Sequence, residues 1–138
     1  MKVRLVQVAG MKFEGVTEDG ARTVVHVPAK GEAKEGPSPF EHLVIGLAGC
    51  TAADVVSILE KQREPLDRLE IEVEYERAKD NPKRLVSARL HFVARGRGLN
   101  PGKLRRAIDL SQEKYCSVSA TVRGGGAVLT CDQRIVAE

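Results

Sequence analysis

The residues best suited to covalent chemistry in this chain are its three cysteines, Cys50, Cys116 and Cys131. A thiolate attacks electrophiles, whereas a thiol packed in an apolar interior is inert, so the surroundings of each decide its use. Cys50 lies in Leu47-Ala48-Gly49-Cys50-Thr51-Ala52-Ala53, where small neighbours leave room for a substrate to reach the sulfur. The same run equally suits a small hydrophobe in a close-packed interior. Reactivity would require a cation nearby, because a helix dipole acts mainly in its first turn and Cys50 is about three turns into its predicted helix. Asp54, one turn later on the same face, could hold such a cation, or left unpaired would make the thiol harder to ionise. Cys116, in Lys114-Tyr115-Cys116-Ser117, is predicted to close a helix. A helix C-terminus disfavours a thiolate, so Cys116 reads as a packed cysteine or as a resolving thiol that attacks a sulfenic acid formed elsewhere. Cys131, in the apolar strand pattern Val128-Leu129-Thr130-Cys131, reads as packed.

Other chemistries find little support. His26, His42 and His91 are scattered singly, and His42 precedes Cys50 by about two helical turns, too far to act as its base. There is no Cys-x-x-Cys and no His-x-x-x-His, so neither a metal site nor another resident cofactor is expected. The Gly124-Gly125-Gly126 run lacks the Lys-Ser/Thr of a phosphate loop, and no Gly-x-Ser-x-Gly elbow is present.

The elements that must position these residues follow from pattern and composition. The chain has 138 residues, which fits one domain with a core of its own. Its 22 basic and 19 acidic residues leave a net charge of +3, spread along the chain, and only 4% of residues are aromatic. A nucleic-acid partner is therefore not expected. The N-terminus lacks the apolar run of a signal peptide, and the apolar stretch Leu43 to Leu59 falls short of a membrane span, so a cytoplasmic protein with no membrane partner is expected. In that reducing setting stable disulfides are rare.

Short strands fill the opening third, among them Val3 to Val8 and, after a Glu18-Asp19-Gly20 turn, Thr23 to Val27. A polar surface loop covers Pro28 to Pro37. Ser38 is predicted to cap a helix, with Pro39 at its first position and Glu41 at capping-box spacing. The helix is apolar on almost every face from Leu43 to Leu59 and ends near Lys61, so it must be covered on all sides. Alternation over Leu69 to Tyr75 and Val86 to Ala94, around Asp80-Asn81-Pro82, predicts a β-hairpin. A second helix opens at Pro101 and runs past Tyr115, and Ala127 to Val136 forms a closing strand. The order indicates an α+β fold, and the shortage of cover for the apolar helix points to a homodimer that shares its core.

Two segments give the chain a resemblance. Gly36-Pro37-Ser38-Pro39-Phe40-Glu41-His42-Leu43 with Leu47-Ala48-Gly49-Cys50-Thr51-Ala52, and the later Lys114-Tyr115-Cys116-Ser117-Val118-Ser119-Ala120-Thr121, resemble the two cysteine segments of the OsmC/Ohr family, in its OsmC-like branch. The resemblance implies an intertwined α+β homodimer, with a long central helix packed against antiparallel sheets. It implies a peroxidase of organic hydroperoxides with a detoxification role, in which Cys50 forms a sulfenic acid, Cys116 closes a Cys50–Cys116 disulfide, and a dithiol such as a lipoyl group restores both thiols. It assigns Glu41 a place in catalysis and Phe40, Leu47, Arg22 and Lys12 a place around the substrate. Phe40 stands where the family's peroxidases carry the carboxylate that holds an arginine against the thiolate, with Glu41 beside it, and the arginine's counterpart is Lys12 or Arg22. That departure sustains a second reading, a small-molecule-binding or sulfur-handling protein that keeps the fold and the thiols.

Overall fold

The computed structural model describes all 138 residues, in two compact units, residues 1–45 and 46–138. The first holds an antiparallel meander of β1 (Val3–Ala9), β2 (Lys12–Thr17) and β3 (Arg22–His26). Strand β2, with Gly15 at its centre and weak alternation, completes the set of short strands expected there. The loop after β3 is polar as expected, but a histidine anchors it. His26, 2% exposed, accepts the Glu35 N–H at Nδ1 (3.0 Å) and therefore donates from Nε2 to Glu32 (2.8 Å).

Helix α1 (Pro39–Lys61) starts in the first unit and continues into the second. Its capping box forms as the sequence specifies: the Glu41 N–H donates to Ser38 Oγ (3.1 Å) and the Ser38 N–H to Glu41 Oε1 (2.9 Å). At 23 residues the helix is longer than the apolar stretch Leu43 to Leu59, and by length and hydropathy alone it does reach what a membrane span requires. Pro39 to His42 and Glu60 to Lys61 supply the difference. Leu47, Thr51, Val55 and Leu59, one helical row at i, i+4, are fully buried within the chain. Leu43, at the start of the same row, is exposed, as are Ile45 and Val56 on other faces.

The second unit adds the sheet β4 (Arg68–Arg77), β5 (Leu85–Arg95) and β6 (Val128–Val136), with β5 in the middle. Alternate residues of β5, Ala88, Leu90, Phe92 and Ala94, are buried, as period-two patterning demands. They share the core with Leu104, Ala107 and Ile108 of α2 (Pro101–Leu110), whose N-cap Asn100 accepts the Lys103 N–H (3.1 Å). Strands β4 and β5 form the expected antiparallel hairpin. Strand β6, in contrast, joins β5 in parallel, so this sheet is mixed rather than antiparallel. The cause is the helical crossover between them, which returns the chain to the end of the sheet where β5 began.

That crossover departs from the expected single helix. After α2 come a π-helical turn (Ser111–Tyr115), an extended Cys116 at φ −75° and ψ 104°, and a third helix, α3 (Ser117–Gly124). Ser- and Thr-rich, β-branched sequence hides α3 from propensity. Its structural signature is the buried pair Ser119 and Val122 at i, i+3.

His91 of β5 ties the three strands together, with Nδ1 on Asp132 of β6 (2.8 Å) and Nε2 on Glu74 of β4 (3.2 Å). The Asp132 bond is the main cause of a raised imidazole pKa; burial opposes it as the next influence, and the charges of Asp132 and Glu74 restore the rise. A raised folded-state pKa stabilises fully at pH below the unfolded imidazole's value and is lost as pH rises through the folded one. The difference in Tm between wild type and Asp132→Asn is therefore expected to shrink as pH rises from about 6 to about 9, and a difference that grows would contradict the clasp. Ser38→Ala removes one half of the α1 capping box and should cost about 1 kcal/mol in urea unfolding.

Candidate thiol site

The site is built where α1 meets the crossover within the second unit. Thr51 and Asp54 carry polar groups on a largely apolar helix, and the π-helical turn satisfies both. Ser111 Oγ donates to Asp54 Oδ2 (2.8 Å), and Gln112 Nε2 donates to Thr51 Oγ1 (3.1 Å), which itself donates to the Leu47 carbonyl (3.0 Å). Arg123 of α3 holds the turn from behind, through the Gln112 carbonyl (2.6 Å) and Gln112 Oε1 (3.2 Å). The wider π turn is what points both Ser111 and Gln112 at α1; such turns recur at functional sites.

Cys116 follows directly and is 3% exposed. It closes the π-helical turn as expected, its N–H donating to the Ser111 carbonyl (2.7 Å), and it also caps the start of α3, where its Sγ accepts from the Ser119 N–H (3.3 Å) and Ser119 Oγ (3.1 Å), with Thr51 Oγ1 at 3.6 Å. The expected effect of the preceding helix end is opposed here, because the thiol also faces the positive end of α3. Burial is the strongest single influence on this thiol and pushes its pKa up. The bonds from Ser119 Oγ, the Ser119 N–H, Cys50 and Thr51 together outweigh it and leave Cys116 more acidic than an ordinary thiol.

Cys50, half-buried, lies one turn before Asp54 on α1, and its Sγ is 4.0 Å from Ser117 Oγ. The Cys50 sulfur, the Cys116 sulfur and an Asp54 carboxylate oxygen all lie within 4.8 Å of one another. No linear motif reveals this set, since the fold supplies Cys116 from the crossover; the expectation that the chain offers no ligand grouping is corrected accordingly. All three cysteines are free thiols. A cleft of about 540 Å³ runs to Asp54, lined also by Ile58, Lys61, Gln62, Leu110 and Tyr115.

The remaining candidates have other partners. Leu47 is fully buried in the core row of α1. Lys12 pairs with Glu35 (2.9 Å), Arg22 pairs with Glu14, and Phe40 is half-buried in the first turn of α1. Glu41 bonds Lys34 and the Ser38 N–H, and these contacts, Lys34 first, hold its carboxyl down to about 2. Burial pushes the Cys131 thiol up, as befits a packed cysteine. Sequence reasoning missed Ser111, Gln112 and Ser119. Ser119 alone left a signal, three residues after Cys116, where a capping side chain finds its backbone donor.

Comparison with known proteins adds the relationship. Residues 31–131 match the family model described as OsmC-like protein. Protein YhfA of Escherichia coli is 37% identical over 119 residues, spanning 86% of this chain and 87% of YhfA. The crystal structure of a hypothetical protein from Aquifex aeolicus superposes with a TM-score of 0.86 at 27% identity, covering 99% of this chain and 96% of that one. The organic hydroperoxide resistance protein OhrB of Bacillus subtilis shares the fold at a TM-score of 0.68 and 18% identity, covering 97% and 98%. With both cysteine segments inside the matched span, the chain belongs to the OsmC-like protein family.

Proposed function

We propose that the protein is a thiol-dependent peroxidase of organic hydroperoxides. The observation that carries the reading is the pairing of a half-exposed Cys50 with a buried, acidic Cys116, their sulfurs within 4.8 Å. Exposure makes Cys50 the thiol a peroxide reaches, and the buried Cys116 beside it is placed to resolve the product. The Cys50 thiolate attacks the terminal peroxide oxygen, the O–O bond breaks, and the alkoxide leaves as an alcohol after taking a proton. Cys116 then attacks the resulting sulfenic acid, releasing water and forming the Cys50–Cys116 disulfide. Closing the sulfurs to the about 2 Å of an S–S bond requires Cys116 to leave its Ser119 donors, so the first turn of α3 is the part that moves. A dithiol such as a lipoyl group regenerates both thiols by exchange.

The largely apolar cleft beside Asp54 suits the organic part of such a substrate, and the solved relative named for organic hydroperoxide resistance accords with it. Within the first unit, the exposed apolar residues Val3, Leu5 and Val8 of β1 are ones we assign to contact with a second copy in a homodimer. Three free thiols accord with a reducing cytoplasm. The second reading, a small-molecule-binding or sulfur-handling protein, draws on Phe40 and on Glu41, whose carboxylate is engaged by Lys34 and the helix cap.

Turnover of cumene hydroperoxide with reduced lipoamide separates the two. The peroxidase reading expects Cys50→Ser to abolish consumption and Cys116→Ser to stop after one turnover with a trapped sulfenic acid. Equal consumption by wild type and Cys50→Ser would sink it. In a background of Cys50→Ser and Cys131→Ser, ultraviolet thiolate absorbance should show Cys116 ionising below the usual value of about 8.5. Ser119→Ala should move that ionisation up.

A further inference from the structure

We propose that the reduced protein holds a thiophilic divalent cation, zinc by preference, between Cys50 Sγ, Cys116 Sγ and a carboxylate oxygen of Asp54. Cys50 and Asp54 project from one face of α1 at i, i+4, and Cys116 is delivered to the same place at the start of α3. The three ligand atoms lie within 4.8 Å of one another. A tetrahedral zinc, with bonds of about 2.3 Å to sulfur and about 2.0 Å to oxygen, needs its ligands about 3.5–3.8 Å apart, within reach of small side-chain adjustments. Two sulfurs and one oxygen form a set that favours zinc over magnesium or calcium. One of these sulfurs already faces the donors that favour its thiolate, the state a metal requires.

The shell behind the ligands is in place as well. Ser111 Oγ donates to Asp54 Oδ2 (2.8 Å), fixing the orientation of the carboxylate. Ser111 is fully buried, so this bond is shielded from water. The 540 Å³ cleft that reaches Asp54 opens the oxygen ligand's side of the group to solvent.

Metal binding needs both thiols reduced, so it excludes the disulfide. In the peroxidase reading, on which this corollary alone rests, one hydroperoxide and two protons convert the zinc dithiolate to disulfide, alcohol, water and free Zn²⁺. The two sulfurs lose the two electrons that the peroxide gains.

The test is titration of the reduced, metal-free protein with Co²⁺ under argon, without peroxide, followed by zinc competition against a chromogenic chelator. The expected result is one equivalent per chain with sulfur-to-cobalt charge-transfer absorption, displaced by zinc. Cys131→Ser should bind like wild type. Cys50→Ser and Cys116→Ser should lose the two-thiolate band, and Ser111→Ala, with all three ligands intact, should weaken zinc by about tenfold or more. Circular dichroism melts confirm that each variant is folded, and Asp54→Asn provides a second probe of the oxygen ligand. Absence of the charge-transfer band in folded wild type, or equal affinity in wild type and Asp54→Asn, would overturn the proposal. Neither result depends on peroxidase activity, which is assayed separately with chelator present.

Discussion

An apolar helix that carries hydroxyl and carboxylate groups into a protein interior must find partners for them, because each unsatisfied group costs about 1–3 kcal/mol. In α1 those groups are Thr51 and Asp54, and the crossover between β5 and β6 answers them with Gln112 and Ser111. A regular α-helix cannot continue through that segment and still reach both, so it widens into a π turn and then breaks at Cys116. The break lets Cys116 cap a new helix beside Cys50. The position of the second thiol thus follows from satisfying the polar side chains of the first thiol's helix.

The same arrangement sets the electrostatics. Cys116 is surrounded by donors and buried, whereas Cys50 has one carboxylate and one hydroxyl nearby and is half-exposed, so the two sulfurs stand in unlike environments. Asp54 serves either role of the site. Held by Ser111, it is part of the scaffold that keeps the crossover on α1, and one of its carboxylate oxygens lies within 4.8 Å of both sulfurs. A hydroperoxide and a metal ion would compete for one dithiol, each needing it reduced.

Much of this was legible in the sequence. The capping box Ser38 and Glu41, the apolar run of α1, the β4–β5 hairpin and the Pro101 start of α2 are local patterns whose cause and effect lie within a few residues. The two cysteine segments were legible as motifs through their resemblance to a family. What stayed hidden was long-range. Ser117 to Gly124 has poor helix propensity and folds because Cys116 caps it and Ser119 and Val122 are buried, and neither condition can be read from those eight residues. The parallel placement of β6 depends on the length and path of the crossover. The acidity of Cys116 depends on which helix it belongs to, a matter of one residue at a boundary, and boundaries are where periodicity says least.

The central claim is that Cys50 and Cys116 act as one redox unit while Cys131 stands apart. One equivalent of organic hydroperoxide added to the fully reduced protein, followed by thiol counting and peptide mapping without reductant, tests it most directly. The account predicts loss of two thiols per chain and a single linked peptide pair containing Cys50 and Cys116, with Cys131 still free. Three thiols retained, or a linkage through Cys131, would contradict it.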